Sequence, residues 1–293
     1  MKHMKFLSFF LGVTFSIVAC SSNNEIIPVP DVDPDGDDGT TEVEFAKGAD
    51  IGWVTEYESK GYNFYNAKGE QRECTALMKE LGLNAIRIRV WVDPSKHGNW
   101  CNTADVVEKA KRAKELGMDV MIDFHYSDWW ADPAQQNKPA SWVGKNLANL
   151  KSAIKDHTVS VLQALKTIGV IPKWVQVGNE IRPGMLWDED VALSGASYNV
   201  TEKDLKDAPA SATDKVVYPM NWANLGAFVT TGYDAVKSVF PDAIVIVHLD
   251  NGWDSGLFTW FFDELKKNGG KWDMIGTVSY THLRAHETRH DVV

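Results

Sequence analysis

Positive charge, cysteine and long apolar runs are all scarce in this chain. Its 293 residues carry 30 Lys and Arg against 40 Asp and Glu, a formal net charge of -10, so no basic stripe is available to track a phosphate backbone, and no nucleic-acid partner is expected. The 3 cysteines are too few to frame a small disulfide-built domain. The one strongly apolar run, Phe6 to Val18, is too short to span a bilayer. There is no Gly-rich phosphate loop and no G-x-S-x-G elbow, which argues against nucleotide chemistry and serine hydrolysis. What remains, with 12 Trp among mostly acidic surroundings, suits one acidic α/β domain of barrel size.

The amino terminus reads separately from that domain. Lys2, His3 and Lys5 precede the apolar run, which ends in Ile17-Val18-Ala19-Cys20. This is the form of a secretion signal. The ending resembles a bacterial lipobox, which implies lipidation of Cys20 and a membrane anchor on the extracytoplasmic side, at the outer membrane, the cell surface or the periplasmic face. An ordinary signal peptide cut nearby is the alternative. Residues 1–20 are thus the expected signal peptide. Residues 21–44 follow as Ser, Asn, Pro, Gly and a dense Asp group, Asp31, Asp33, Asp35, Asp37 and Asp38. Such a segment buries too little apolar surface to offset its chain entropy and reads as an acidic tether. It lacks the closing Glu and flanking helices of a calcium loop.

From Phe45 onward, strand-like apolar runs alternate with amphipathic segments, the pattern of βα units around a parallel sheet. Strands are expected at 47–54, 84–92, 119–125, 174–177 and 243–248, with a sixth beginning at 272–276. Helices are expected at 70–81, 103–116, 146–168, 222–240 and 255–267. The stretch from Pro183 to Pro219 is longer than an ordinary βα loop and reads as an excursion over the substrate face. Cys74 and Cys101 then fall at the same end of adjacent units. They are either a disulfide or two buried free thiols.

Polar residues collect at the strand ends. The apolar strand Trp174 to Val177 leads into Gly178-Asn179-Glu180, placing an amide and a carboxylic acid at a strand's C-terminal end, where barrel enzymes carry their chemistry. A Glu there donates a proton to a leaving oxygen if apolar surroundings raise its pKa. Neighbouring strand ends supply Arg87, Arg89 and Trp91; Asp123, His125 and Tyr126; and His248, Asp250 and Asn251. Charges inside strands persist only when paired, so Arg87 and Asp123 are either a supporting network or direct substrate contacts. Asp128-Trp129-Trp130 follows the third strand; indole faces stack on sugar rings while acids and amides bind hydroxyls. Neither His125 nor His248 has H-x-H or H-E-x-x-H spacing, so each reads as a sugar contact or a tuner of Glu180, and no metal or other cofactor is expected.

Four motifs together carry a family resemblance: Gly48-Ala-Asp50, Ile86-Arg-Ile-Arg-Val-Trp91, Asp123-Phe-His-Tyr-Ser-Asp-Trp-Trp-Ala-Asp-Pro133 and Gln176-Val-Gly-Asn-Glu180. Over about Phe45 to Gly276 the chain resembles glycoside hydrolase family 53, the endo-β-1,4-galactanases. The resemblance implies a (β/α)8 TIM barrel, a retaining mechanism and β-1,4-galactan of pectic arabinogalactan as the polysaccharide partner, acted on by a monomer. By it Glu180 is the general acid/base and Asn179 contacts the sugar. Asp50, Arg89, Trp91, His125, Asp128, Trp129, Trp130, His248, Asp250 and Asn251 are the further candidate substrate-binding residues. The nucleophile is expected to be a second Glu at the end of the seventh strand.

The chain departs from the pattern after Gly276. Residues 277–293 hold three His and two Arg and resemble translated adapter sequence, so they are expected to be a non-native tail. Glu287 is too close to the sixth strand to follow a parallel crossover. The expectation is therefore an incomplete barrel over 45–276, with about six of eight strands, an absent nucleophile and an inactive fragment of an active parent. The alternatives are a non-catalytic surface glycan-binding lipoprotein or a related barrel hydrolase on another β-glycan.

Overall fold

The computed structural model describes residues 45–187 and 222–278. Six parallel strands lie in chain order in one sheet: β1 (Gly48–Asp50), β4 (Ala85–Val90), β5 (Asp119–Phe124), β6 (Trp174–Val177), β7 (Ile244–Leu249) and β8 (Met274–Thr277). Between them run α1 (Val54–Ser59), α2 (Cys74–Glu80), α3 (Thr103–Glu115), α4 (Leu147–Thr167), α5 (Trp222–Val239) and α6 (Ser255–Lys267). The short strands β2 (Phe64–Tyr65) and β3 (Gln71–Arg72) form a separate antiparallel pair. The strand sequence, with a helix between successive strands, is that of an incomplete (β/α)8 barrel. Among the described residues, β1 and β8 are its edges.

Period-two alternation divides each strand between two environments. Ile86, Ile88 and Val90 of β4, Val120, Ile122 and Phe124 of β5, and Val245, Val247 and Leu249 of β7 join the core packed under the helices. The intervening residues face the barrel interior. There Ala85, Met121, Trp174 and Ile246 form an apolar layer. Two residues further along each strand come Arg87, Asp123, Gln176 and His248, so the interior changes from apolar to polar toward the strands' C-terminal ends. At Gly232 of α5 a Cβ would lie 2.5 Å from Val177 Cγ1, and this close approach seats α5 on β6.

Three boundaries differ clearly from the sequence expectation. The first strand stops at Asp50 because the Asp50 Oδ1 accepts from the Gly52 N–H at 2.9 Å and Val54 N–H donates to Ile51 O, which turns the chain into α1. Residues 71–72 are strand, not helix. Asn66 Oδ1 accepts from the N–H groups of Lys68 and Glu70, closing a turn that pairs β3 with β2; α2 begins only after Glu73 caps it through the Ala76 N–H. The sixth barrel strand also continues past Gly276: Thr277 pairs with Leu249, and Val278 N–H donates to Leu249 O at 3.0 Å.

Cys74 and Cys101 are both free and buried, so the disulfide reading is corrected in favour of two thiols. Cys74 packs in the core at the start of α2, while the Cys101 Sγ is directed at Gly52 O, 3.3 Å away. The Lys109 ammonium also lies 3.8 Å from the Cys101 Sγ. Burial, the main cause, pushes the Cys74 thiol up to about 12. Cys20, the tether and most of the 183–219 excursion lie outside the described residues.

Candidate active site

Arg87 is the hub of the polar layer. Its Nη1 donates to Asp50 Oδ2 at 2.7 Å, and its Nη2 reaches Asp123 Oδ2 at 2.7 Å, Gln176 Oε1 at 3.0 Å and Asn179 Oδ1 at 2.9 Å. Gln176, fully buried in the middle of β6, donates through Nε2 to Asp123 Oδ1 at 2.6 Å and lies 3.0 Å from Asn179 Oδ1. Arg87 and Asp123 are therefore a supporting network, one of the two readings left open by the sequence. Burial alone would raise the Asp123 carboxyl, but Arg87 and His125 outweigh it and hold the group below the ordinary range.

This network fixes the chemistry of Asn179. Its Oδ1 is occupied by Arg87 and Gln176, and one hydrogen of its Nδ2 goes to Ala131 O at 2.7 Å. The other amide hydrogen takes no acceptor among the described residues. The amide thus presents a donor, with its orientation set by cationic and amide partners that tolerate only an oxygen on the other side.

Glu180 follows at the rim of β6 with φ 50, in the left-handed region. Burial, then the negative charges of Asp250 and Asp132, push its carboxyl up to about 7, against the opposing pull of Arg87. It is thus a carboxyl poised between its two protonation states near neutral pH, the property a group needs to give a proton in one step and take one in the next. Its N–H donates to His248 Nδ1 at 3.3 Å. His248 is buried, and burial followed by the Arg87 charge drops it to about 3, so it stays neutral and serves as an acceptor.

The other residues singled out from sequence divide by what their polar atoms already hold. His125 accepts from Ala131 N–H through Nδ1 and donates from Nε2 to Asp123, so its ring ties the loop after β5 to β5 itself. Asp128 accepts from Asp93 N–H and Ala140 N–H, one with each oxygen, which ties that loop to its neighbours. Asp50 is engaged by Arg87 and by Gly52 N–H. Asp250 receives a two-pronged ion pair from Arg182. Asn251 lies one residue further on with φ 56.

Arg89 lies with its guanidinium carbon 4.1 Å from the Trp130 ring centroid and 5.3 Å from that of Trp91, against Asp50 at 3.5 Å. Trp91 is buried. Trp129 and Trp130 are similarly exposed, 36% and 39%; His97 stacks on the first with centroids 3.7 Å apart and the Arg89 guanidinium lies over the second, so both remain candidates for an aromatic platform at the rim.

Sequence reasoning missed Gln176 as a site residue in its own right, along with Arg182 and Gln136. Gln176 had a signal: a lone amide at an inward position of an otherwise apolar strand. Gln136 had none, because its role depends on where a loop folds back. Among the described residues no group of three or more His, Cys, Asp or Glu is arranged to hold a metal ion. One H-E-x-x-H string does occur, His286 to His290, outside the described residues.

Comparison with known proteins bears on this arrangement. The profile of glycosyl hydrolase family 53 matches residues 46–290. An uncharacterized protein in the bgaB 5' region of Niallia circulans is 37% identical over 239 residues, covering 82% of this chain and 60% of that protein. An arabinogalactan endo-beta-1,4-galactanase of Thermothelomyces thermophilus is 33% identical over 240 residues, covering 80% of this chain and 63% of its own length. A solved fungal beta-1,4-galactanase superposes with a TM-score of 0.65 at 32% identity, over 78% of this chain and 62% of that one. The chain thus spans about three fifths of the length of these relatives.

Proposed function

We propose that this chain, which belongs to glycosyl hydrolase family 53, supplies the acid/base half of an endo-acting, retaining glycosidase that cleaves β-1,4-galactan in pectic arabinogalactan. The observation that carries the reading is Glu180, a carboxyl raised to about 7 at the C-terminal end of a barrel strand, beside an amide fixed as a donor. Relatives named as arabinogalactan endo-beta-1,4-galactanases support the choice of substrate.

In the first step protonated Glu180 gives its proton to the glycosidic oxygen as the bond to the anomeric carbon breaks. In the second, the Glu180 carboxylate takes a proton from the attacking water. Asn179 donates through its remaining Nδ2 hydrogen to a ring hydroxyl, and Trp130 offers an apolar face to a sugar. Retention requires a second carboxyl about 5 to 5.5 Å from the first to attack the anomeric carbon. The nearby described carboxylates are committed: Asp123 to Arg87 and His125, Asp250 to Arg182, and Asp132 to the Ala134 N–H and Gln135. The nucleophile in this proposal therefore comes from outside the described residues.

The proposal includes a lipid anchor at Cys20 on the extracytoplasmic side of a membrane and a monomeric protein. Depolymerisation of galactan, mannan and glucan by the full-length protein tests the activity; cleavage confined to mannan or glucan would overturn the substrate. Incorporation of labelled fatty acid that disappears in Cys20→Ser tests the anchor.

A further inference from the structure

We propose that Gln136, a residue remote in sequence from any strand end, is a positioning residue for Glu180. It pins the peptide that joins Asn179 to Glu180. This rests on the reading of Glu180 as the acid/base.

The peptide between Asn179 and Glu180 is held at both poles. Its N–H donates to His248 Nδ1 at 3.3 Å, and its carbonyl accepts from Gln136 Nε2 at 2.8 Å. The same Nε2 lies 3.3 Å from Glu180 O and 3.2 Å from Asp132 O. Gln136 is itself only 3% exposed, and its backbone carbonyl accepts from Trp187 N–H at 2.7 Å, so its position is fixed from the chain following Glu180.

Such a clamp matters because Glu180 sits at φ 50, where a side chain with a Cβ is strained. The easy relaxation is a flip of the preceding peptide, which returns φ to negative values. That flip would swing the Asn179 carbonyl away from Gln136 and the Glu180 N–H away from His248. Both partners oppose it. Gln136 therefore keeps the Glu180 carboxyl in the pocket whose burial and negative neighbours raise it.

The clamp also explains why the loop after β5 is joined so firmly to the turn after β6. Asn179 Nδ2 donates to Ala131 O as Gln136 donates to Asn179 O, so side chain and backbone of one residue grip the same loop in opposite senses. The loop carrying Trp130 and the turn carrying Glu180 are thereby tied together.

The test uses Gln136→Leu and Gln136→Met in the full-length protein, each keeping the bulk of the side chain without its donors. Turnover of galactan is expected to fall about tenfold or more with KM within about threefold, since the loss falls on proton delivery. The alkaline limb of the pH profile should move to lower pH as Glu180 relaxes toward solvent. An aryl galactoside with a dinitrophenolate leaving group, which needs no proton to depart, should keep most of its first-step rate. Equal losses on both substrates with an unmoved alkaline limb would overturn the assignment.

Titration of the Glu180 carboxyl by carbon NMR decides the same question without any substrate: a downward shift in either variant supports the clamp, and a wild-type value in both refutes it. If the wild-type protein cleaves no glycan, the hydrolase reading fails while this titration still reports on Gln136. Should neither variant fold, the wild-type Gln136 carboxamide protons give the decision. Slow solvent exchange supports the clamp, and free exchange refutes it.

Discussion

Arg182 grips Asp250 with two prongs, Nε to Oδ1 at 2.9 Å and Nη2 to Oδ2 at 2.8 Å, both residues nearly buried. Arg182 stands two residues after Glu180, and Asp250 is the first charged group, after burial itself, that raises the Glu180 carboxyl. One ion pair therefore both locks the turn after β6 to the end of β7 and sets the electrostatics of the acid.

Asp250→Asn should accordingly have two effects. Glu180 should titrate below its present value of about 7, moving the alkaline limb of activity to lower pH, though burial keeps it above an ordinary carboxyl. Arg182 would lose both prongs of this ion pair, at a cost of about 1 to 3 kcal/mol in stability. Carbon NMR of Glu180 and denaturant unfolding measure the two separately. A Glu180 titration unchanged in the folded variant would refute the electrostatic link.

Glu180→Gln should slow galactan cleavage by about 10² to 10⁴, the usual contribution of a positioned acid. The loss should shrink on substrates whose leaving group departs without a proton. Azide, as a small nucleophile, should then accelerate breakdown of the glycosyl intermediate in the variant. Near-normal galactan turnover would remove Glu180 from the acid/base role.

His157 contributes to the acid sensitivity of the fold. Its ring packs among Phe124, Tyr126 and Trp142, its Nε2 has no partner, and burial pushes it down to about 4. A histidine with a depressed folded pKa binds fewer protons when folded than when unfolded. Its share of stability is therefore complete above the unfolded value of about 6.5 and is lost as pH falls toward 4. The loss should reach about 2 to 3 kcal/mol by pH 4. His157→Phe should flatten that part of the stability profile in urea unfolding between pH 7 and 4; an unchanged slope would show that other groups set it.

Much of the fold was legible because strand and helix periodicities are local. The spans Trp174–Val177 and Ser255–Lys267 agree at both ends, since Gly, Asp and Asn signals bound them. Residues 70–72 misled because an amphipathic reading cannot see that Asn66 caps a turn and recruits them into a hairpin. At the site, Asn179 and Glu180 were visible as polar groups ending an apolar strand. Their surroundings were not. His125 and Asp128 look like sugar ligands in sequence, yet their polar atoms hold the protein's own groups, backbone N–H in three bonds and the Asp123 carboxylate in the fourth.

By itself the sequence determined the order of βα units and the place of Glu180 at the end of an apolar strand. These depend on hydrophobic period and on chain direction, which are written along a single segment. Only the tertiary structure decided what each polar group has left to offer. Whether Asn179 presents a donor and how the Glu180 backbone is held depend on partners 43 to 92 residues away in sequence, Gln136 and Arg87 for Asn179 and His248 for Glu180. Charge and hydrogen-bond capacity are spent in space, through contacts no local pattern records.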